Sequence, residues 1–217
     1  MRLNSVILES ARGLRKQKME HLQDVINTHA RKAGKLLDID LLNITVHFSQ
    51  DVIPETGEAG YASGKDWIRI TIDPTRKVKE LQKIINDIIP ATVYHEANHI
   101  AREKYTGESE NLLEAIISEG LADVFAEECW HKFKAPWGAY QQKKIQPFLK
   151  SLKNEKNDKK YSHGDWFFGT GKRPRWLGYK LGNYIVHSAK NNNPGLTVLK
   201  MTKMTASEIV KLSGISI

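Results

Sequence analysis

The chain has 217 residues, 40% of them hydrophobic and 27% charged, which is enough to bury a sizeable core within one domain. No apolar run approaches the roughly 18 residues that span a membrane, and the start of the chain, from Met1 to Glu9, lacks the pattern of a secretory signal peptide. A single cysteine, Cys129, excludes an internal disulfide and is typical of a reducing compartment, so we expect a cytoplasmic protein.

The formal charge of +8 is compatible with binding to nucleic acid or with an ordinary solvated surface. Many of the lysines lie between Lys143 and Lys160, and no recognised nucleic-acid-binding motif accompanies them. We therefore expect a solvated helix face that continues into a polar loop. A basic nucleic-acid-binding protein is the alternative.

The N-terminal part is predicted to contain one helical segment and two strands. Helical spacing covers about residues 5–37, with a break expected near Gly13. Strands are predicted over residues 41–49 and 67–72, where β-branched and polar residues alternate. Residues 50–65 contain one proline and three glycines and are predicted to form a loop.

Two helices are predicted next. Helical spacing resumes at Val78, and Pro90 is expected to interrupt it because proline cannot donate a backbone hydrogen bond. Pro90 then suits the first turn of a second helix, which ends near Gly107. A further helix is predicted from an N-cap at Asn111 to about Ala126.

The C-terminal half is predicted to be mainly helical, with helices over about residues 136–152, 176–190 and 205–212 and a shorter piece around Val198. Pro147 is expected to kink the first of these. The polar stretch over residues 154–175 also carries several aromatic residues and is predicted to form an ordered loop.

These elements predict an α+β protein in which a small sheet is followed by a mainly helical C-terminal half. We expect a single domain over residues 1–217. It would consist of an N-terminal helical segment (1–38), a part with the sheet and the active-site helix (40–104) and a helical half (108–217).

The most informative stretch is the pattern H-E-x-x-H from His95 to His99. On a helix, residues four apart share one face, so His95 and His99 can bind one metal ion together. Glu96 lies about 100° around the helix from His95. That position suits a general base for a water molecule that the metal activates. An apolar stripe that includes Val93 lies beside the histidines, so we expect the pair to line a cleft.

A catalytic zinc ion usually has three protein ligands and an open position for water. The metzincin continuation is excluded because Arg102 and Tyr105 occupy its later positions. Glu119 is the predicted third ligand, since an acid in the apolar stripe of the next helix needs a cationic partner. Asp123, one turn further, is predicted to accept a ring N–H from a metal-bound histidine. Gly120 would allow the two helices to approach closely. Weaker candidates for the third ligand are Glu114, Glu127, Glu128, His131 and His163.

At these two helices the sequence resembles a known group of enzymes. The H-E-x-x-H pattern followed by Glu119 and Asp123 resembles the gluzincin zinc metallopeptidases and, more narrowly, a bacterial family of predicted zinc-dependent proteases. The segment from Pro174 to Gly182 also resembles the C-terminal pattern of that family, and the resemblance covers roughly residues 40–215. It implies a zincin-like fold with a small sheet above the active-site helix. It supplies a reaction type and no particular substrate.

The expected reaction is peptide hydrolysis with Zn²⁺ as the cofactor and a peptide or protein as the substrate. Glu96 would accept the proton of the attacking water and deliver it to the leaving amine. Tyr179, which the resemblance covers, is the first candidate to stabilise the oxyanion, and a packing role is its alternative. His163 and Tyr61 are further candidates. The strand over residues 67–72 would lie at the rim of the cleft and pair with an extended peptide.

Two other functions are compatible with the same motif. A catalytically idle zinc-binding scaffold could bind a protein partner, but a purely structural site has no need of the base Glu96 and usually has four protein ligands. A zinc hydrolase with a substrate other than a peptide would use the same residues.

Overall fold

The computed structural model describes residues 1–8, 14, 16–107 and 110–217. The fold is α+β, with a four-stranded mixed sheet followed by a mostly helical C-terminal half, which confirms the predicted class. No helix in the described part of the chain is both long and apolar enough to span a membrane.

The chain divides into two compact units. The first contains residues 1–101 and 126–133, and the second contains residues 102–125 and 134–217. The organisation as a single domain over the whole chain stays a prediction.

The first unit contains the sheet and the helices that follow it in sequence. Its strands are β1 (Arg2–Ile7), β2 (Leu41–Phe48), β3 (Glu58–Ser63) and β4 (Trp67–Ile72). Its helices are α1 (Lys16–Leu37), α2 (Val78–Lys83) and the larger part of α3 (Ile89–Thr106), and a π-helical segment, Ile84–Ile88, joins α2 to α3.

The second unit is helical. It contains most of α4 (Leu112–Cys129), followed by α5 (Gln142–Ile145), α6 (Pro147–Glu155), α7 (Leu177–Asn192), α8 (Val198–Met201) and α9 (Ala206–Ser213). A second π-helical segment, Gly164–Phe168, precedes α7.

The strand order in the sheet is β1-β2-β4-β3. β2 pairs in parallel with β1 and with β4, whereas β3 pairs antiparallel with β4. β1 and β3 are therefore the edge strands. Strands β2 and β4 direct their alternate apolar residues into the core, where all are buried: Leu42, Ile44, Val46, Ile68, Ile70 and Ile72.

The predictions for β2, β4 and the helix pair around Pro90 are confirmed. β4 has the predicted bounds, and β2 ends one residue before the predicted end. Pro90 follows the π-helical segment as the second residue of α3, where its missing N–H removes no bond of a regular helix interior. At the start of α4, Asn111 accepts a hydrogen bond from the backbone N–H of Glu114 through its side chain, as an N-cap does.

Two strands lie where the sequence predicted other structure. The helical prediction from residue 5 was wrong as far as Ile7, because β1 pairs in parallel with β2 over residues 2–7. The break expected near Gly13 lies outside the described residues. β3 occupies part of the predicted loop over residues 50–65, where its pairing with β4 supplies the order that its small residues do not signal.

The prediction of one helix over residues 136–152 was wrong, because the helical structure begins later and consists of two helices. Residues 136–141 are not helical, and α5 and α6 are separate helices divided at Gln146. Pro147 is the first residue of α6, a position that tolerates a missing N–H, so the kink expected there is a break between helices.

His29 is a buried histidine in the core of the first unit. Its side chain lies 3.2 Å from the hydroxyl of Tyr94, measured from Nδ1, and its ring packs edge-on against Trp130. Burial lowers the pKa of His29, and the charges of Lys32 and Lys132 lower it further. The imidazole is therefore buried in its neutral form.

This burial predicts that protonation of His29 destabilises the folded protein. The unfolded chain takes up a proton at His29 near pH 6.5, whereas the folded chain does so only at lower pH. His29 should therefore lower the free energy of unfolding as the pH drops from about 6.5 through its lowered pKa in the folded state, whereas Glu58, whose pKa burial raises to about 7, contributes a change of opposite sign as the pH falls through that value. Urea titrations between pH 7.5 and 5.5 measure this slope.

His29→Phe should lose less stability on acidification than the wild type, since the proton-binding group is gone. Burial also lowers the pKa of His163 and raises that of Glu58, and both effects are common to the two proteins, so the difference between the two slopes reports His29. His131→Phe, at an exposed position, is the matched control. Equal slopes for His29→Phe and the wild type would contradict this account of His29.

Candidate metal centre

The two histidines of the H-E-x-x-H pattern lie one turn apart on α3. Both are half-buried, and their Nε2 atoms are 3.1 Å apart. Val93, Ala97 and Ile100 are buried on the same helix and anchor it in the core of the first unit. Two nitrogens that bind one tetrahedral zinc ion at 2.0–2.1 Å lie about 3.3 Å apart. The spacing of the pair thus suits one zinc ion.

Glu96 is almost completely buried between the histidines and β3, with 7% of its surface exposed. A methyl group added to Gly60 of β3 would overlap with Glu96 Oε1 and would lie 2.6 Å from Thr92 Cγ2. The backbone of β3 therefore lies directly against the carboxylate of Glu96. The absence of a side chain at Gly60 is what permits this close approach.

A second carboxyl group, Glu58, lies near Glu96. Its exposed fraction is 2%, and burial raises its pKa to about 7. Thr92 lowers this pKa through a hydrogen bond, whereas the charge of Glu96 raises it. The sequence did not reveal Glu58 because it opens the strand that was predicted as a loop.

On α4, Glu119 is half-buried and shares its surroundings with two residues of the second unit. Burial lowers the pKa of His163, and the charge of Glu119 opposes this effect. Burial also raises the pKa of Tyr161, and here the charge of Glu119 adds to the effect. His163 and Tyr161 therefore lie within the electrostatic reach of Glu119. Tyr161 was not singled out from the sequence.

His95, His99 and Glu119 form a cluster that could hold a metal ion, with their ligand atoms within 4.8 Å of one another. Two imidazoles and one carboxylate are a donor set that catalytic zinc sites use. The weaker candidates Glu127, Glu128, His131 and His163 do not belong to this cluster among the described residues.

Glu114, another weaker candidate, has a structural partner. It pairs with the guanidinium of Arg102 at 2.8 Å, and it accepts a hydrogen bond from the backbone N–H of Ala206. Arg102 also donates to the carbonyl oxygen of Met204. Glu114 therefore ties α4 to the first residue of α9.

Asp123 is buried and accepts hydrogen bonds from two side chains of the second unit. The donors are Trp137 Nε1 at 3.1 Å and Asn183 Nδ2 at 2.8 Å. These bonds connect α4 to α7 and to the segment before α5. The predicted bond from a metal-bound histidine to Asp123 stays a prediction.

Tyr179 is half-buried in an aromatic cluster. Its ring packs against Trp137, Phe167 and Trp176, with centroid distances of 6.1, 5.4 and 5.6 Å. These contacts give Tyr179 the packing role that was the alternative to an oxyanion donor.

Tyr61 lies on the opposite side of β3 from Gly60, because successive residues of a strand point to opposite faces. It is 54% exposed, and the guanidinium of Arg69 packs over its ring. Since Gly60 faces Glu96, Tyr61 points away from it. Its candidacy as an oxyanion donor was therefore wrong.

The prediction that the strand over residues 67–72 pairs with a peptide was also wrong. β4 is an inner strand, with β2 along one edge and β3 along the other, so its backbone is already paired. β3 is an edge strand, and within the described chain its outer side has an isolated bridge from Glu58 to Ile53 and no further strand partner. The strand available to an extended peptide next to Glu96 is therefore β3.

Comparison with known proteins agrees with the motif on these helices. A family model described as "Predicted Zn-dependent protease (DUF2268)" matches residues 17–211. No curated protein and no solved structure was found to match the chain. Because the family model covers most of the sequence and confirms the resemblance, the chain belongs to this family of predicted zinc-dependent proteases.

Proposed function

We propose that the protein is a zinc-dependent metallopeptidase. The observation that carries this proposal is the cluster of His95, His99 and Glu119, with Glu96 buried beside the histidine pair on the same helix. Three protein ligands leave one position of a tetrahedral ion open, as in catalytic zinc sites. A purely structural zinc site would have no use for Glu96.

In this proposal His95, His99 and Glu119 hold the ion. Bound zinc supplies a Lewis acid that lowers the pKa of water and polarises a carbonyl group. Glu96 accepts the proton of the attacking water and passes it to the leaving amine. The backbone of β3 at Gly60 keeps bulk water from one side of the Glu96 carboxylate.

Two side chains of the second unit are candidates to stabilise the oxyanion. Tyr179 carries a phenol, but three aromatic neighbours hold its ring. His163 lies within the electrostatic reach of Glu119, a proposed ligand. The ring of His163 is held by aromatic neighbours as well, with Phe167 stacked on it at 4.4 Å. His163 and Tyr179 are therefore alternatives as the donor, and Tyr161 is a further member of the group around Glu119.

An extended peptide suits this site better than a compact substrate. The free side of β3 offers backbone N–H and C=O groups beyond Glu58, whose carbonyl oxygen already accepts a hydrogen bond from the N–H of Ile53, and an extended chain can pair with them as an added strand. Gly60 lies in the middle of this strand and contacts the side chain of Glu96. A peptide paired with β3 would therefore run past the proposed base.

The single cysteine supports a reducing compartment. Burial raises the pKa of Cys129 to about 11, and the charge of Glu128 adds to this effect. The thiol therefore stays protonated and has little reactivity as a nucleophile or a metal ligand. We propose a cytoplasmic protein, in which such a thiol needs no disulfide partner.

The proposed ligand set predicts the zinc affinity of single variants. Glu119→Ala should bind zinc at least about 100-fold more weakly than the wild type, because two histidines alone make a weak site. Glu128→Ala, at an exposed position of the same helix, is the matched control and should bind zinc like the wild type. Competition with a chromogenic chelator measures both affinities. An unchanged affinity in Glu119→Ala would identify a different third ligand.

A further inference from the structure

Glu58 is the first residue of β3, and its side chain points to the face of α3 that carries Thr92 and Glu96. It lies on the same side of the strand as Gly60, two residues further. Only 2% of the residue is exposed, although it carries a carboxyl group. Burying a carboxylate costs free energy unless a cation or hydrogen-bond donors stabilise its charge. The partners of Glu58 therefore decide its protonation state.

Thr92, on α3, connects Glu58 to the end of the preceding π-helical segment through two polar contacts. Its hydroxyl oxygen lies 3.0 Å from Glu58 Oε2 and 3.2 Å from the carbonyl oxygen of Ile88. A threonine hydroxyl has one proton to donate. Both contacts can be full hydrogen bonds only if Glu58 carries a proton, donates it to Thr92 and leaves the hydroxyl proton for Ile88.

The electrostatic surroundings favour the same protonation state. Burial raises the pKa of Glu58 to about 7, so the neutral form is populated at neutral pH; the charge of Glu96 adds to this effect, and hydrogen bonds from Thr92 and Thr56 oppose it. The charge of His95 has the opposite effect and is the weakest of the influences. An ionised Glu58 would repel the charged carboxylate of Glu96, whereas a neutral carboxylic acid would not.

We propose that Glu58 is a positioning residue, which holds β3 on α3 as a neutral carboxylic acid bonded to Thr92 and thereby fixes the place of the Glu96 carboxylate. Thr92 precedes Glu96 by one helical turn, so the bond from Glu58 anchors the face from which Glu96 projects. Gly60 completes the arrangement, since its backbone lies against Glu96. The proposal rests on the proposed function, in which Glu96 is the base.

The kinetic test compares Glu58→Gln with Glu58→Ala in the zinc-loaded protein. Glutamine is neutral and can donate an amide N–H to Thr92, so kcat should stay within about threefold of the wild type. Alanine should lower kcat about tenfold or more, with KM and zinc content unchanged, because a small displacement of a catalytic group is costly. Glu20→Ala, at an exposed position of α1, is the control. A purely structural Glu58 would lower the melting temperature of Glu58→Ala and leave kcat of the folded protein unchanged.

A second measurement needs neither zinc nor activity. In metal-free protein with ¹³C-labelled glutamate, the carboxyl resonance of Glu96 is the one that disappears in Glu96→Gln. It should shift in Glu58→Ala and stay near its wild-type position in Glu58→Gln and Glu20→Ala. Thr92→Val, which removes the hydroxyl and leaves the carboxyl, should also shift it and serves if Glu58→Ala does not fold.

The two measurements separate the proposals. An unshifted Glu96 resonance in both Glu58→Ala and Thr92→Val would overturn the positioning role of Glu58. A wild-type protein that binds zinc and cleaves no peptide would instead overturn the proposed function, while the resonance would still show whether Glu58 places Glu96.

Discussion

Glu96→Gln should keep the zinc content of the wild type and lose about 10²- to 10⁴-fold in kcat for peptide hydrolysis. Glutamine has the shape of glutamate and cannot accept a proton at neutral pH. Glu96 does not belong to the cluster of His95, His99 and Glu119, so the substitution leaves the proposed ligands in place. Zinc analysis and single-substrate kinetics on the same preparation measure both quantities.

Glu103→Gln is the control for this variant, since it makes the same chemical change on the same helix and should leave kcat unchanged. Full activity in zinc-loaded Glu96→Gln would show that Glu96 is not the base. Loss of zinc from Glu96→Gln would show that the carboxylate binds or supports the ion directly.

Gly182→Ala and Gly120→Ala should each lower the free energy of unfolding by about 1–3 kcal/mol. A methyl group at Gly182 of α7 would overlap with the carbonyl oxygen of Ile116 on α4, and one at Gly120 would overlap with the backbone of Gly182. Helix backbones cannot yield as the end of a flexible side chain does. The two helices would therefore have to move apart within the second unit.

The sign of this effect is diagnostic, because glycine to alanine in an ordinary helix interior stabilises by about 0.5–1 kcal/mol. Gly34→Ala on α1 is the control: there the added methyl group meets the side chain of Met1, which is partly exposed and can move. Its free energy of unfolding, measured by urea titration, should change by less than about 1 kcal/mol. Stabilisation in Gly182→Ala would contradict the close backbone contact.

The elements that the sequence predicted best are those whose own residues determine their structure. β4 alternates isoleucine with polar residues, and α3 carries the histidines beside a stripe that includes Val93, so local periodicity suffices. The same patterns predicted the order of a small sheet and then a mainly helical half. Within the motif, the i and i+4 spacing alone predicted that His95 and His99 lie on one face.

The elements that the sequence missed depend on partners far away in the chain. β1 reads as part of a helical segment and becomes a strand because β2 pairs with it across more than 30 residues. β3 contains small residues and Gly60, and its order comes from β4. Since Glu58 and Gly60 lie on β3, the surroundings of Glu96 could not be predicted without the sheet.

The sequence predicted that another helix lies close to Gly120, but it indicated the wrong helix. A glycine within an apolar helix stripe indicates that another helix comes near, but it does not say which one. The sequence suggested the helix with the histidines, whereas the structure places Gly182 of α7 against it. The same limit applies to Tyr161, whose place near Glu119 no spacing in the sequence signals.

Zinc-dependent cleavage of a mixed peptide library is the measurement that tests the central claim most directly. The zinc-loaded protein should cleave peptides, lose this activity when a chelator removes the metal, and regain it when Zn²⁺ is restored. Glu96→Gln, loaded to the same zinc content, should remain inactive throughout. Fully zinc-loaded protein that cleaves no peptide, or cleavage that persists after the metal is removed, would contradict the account.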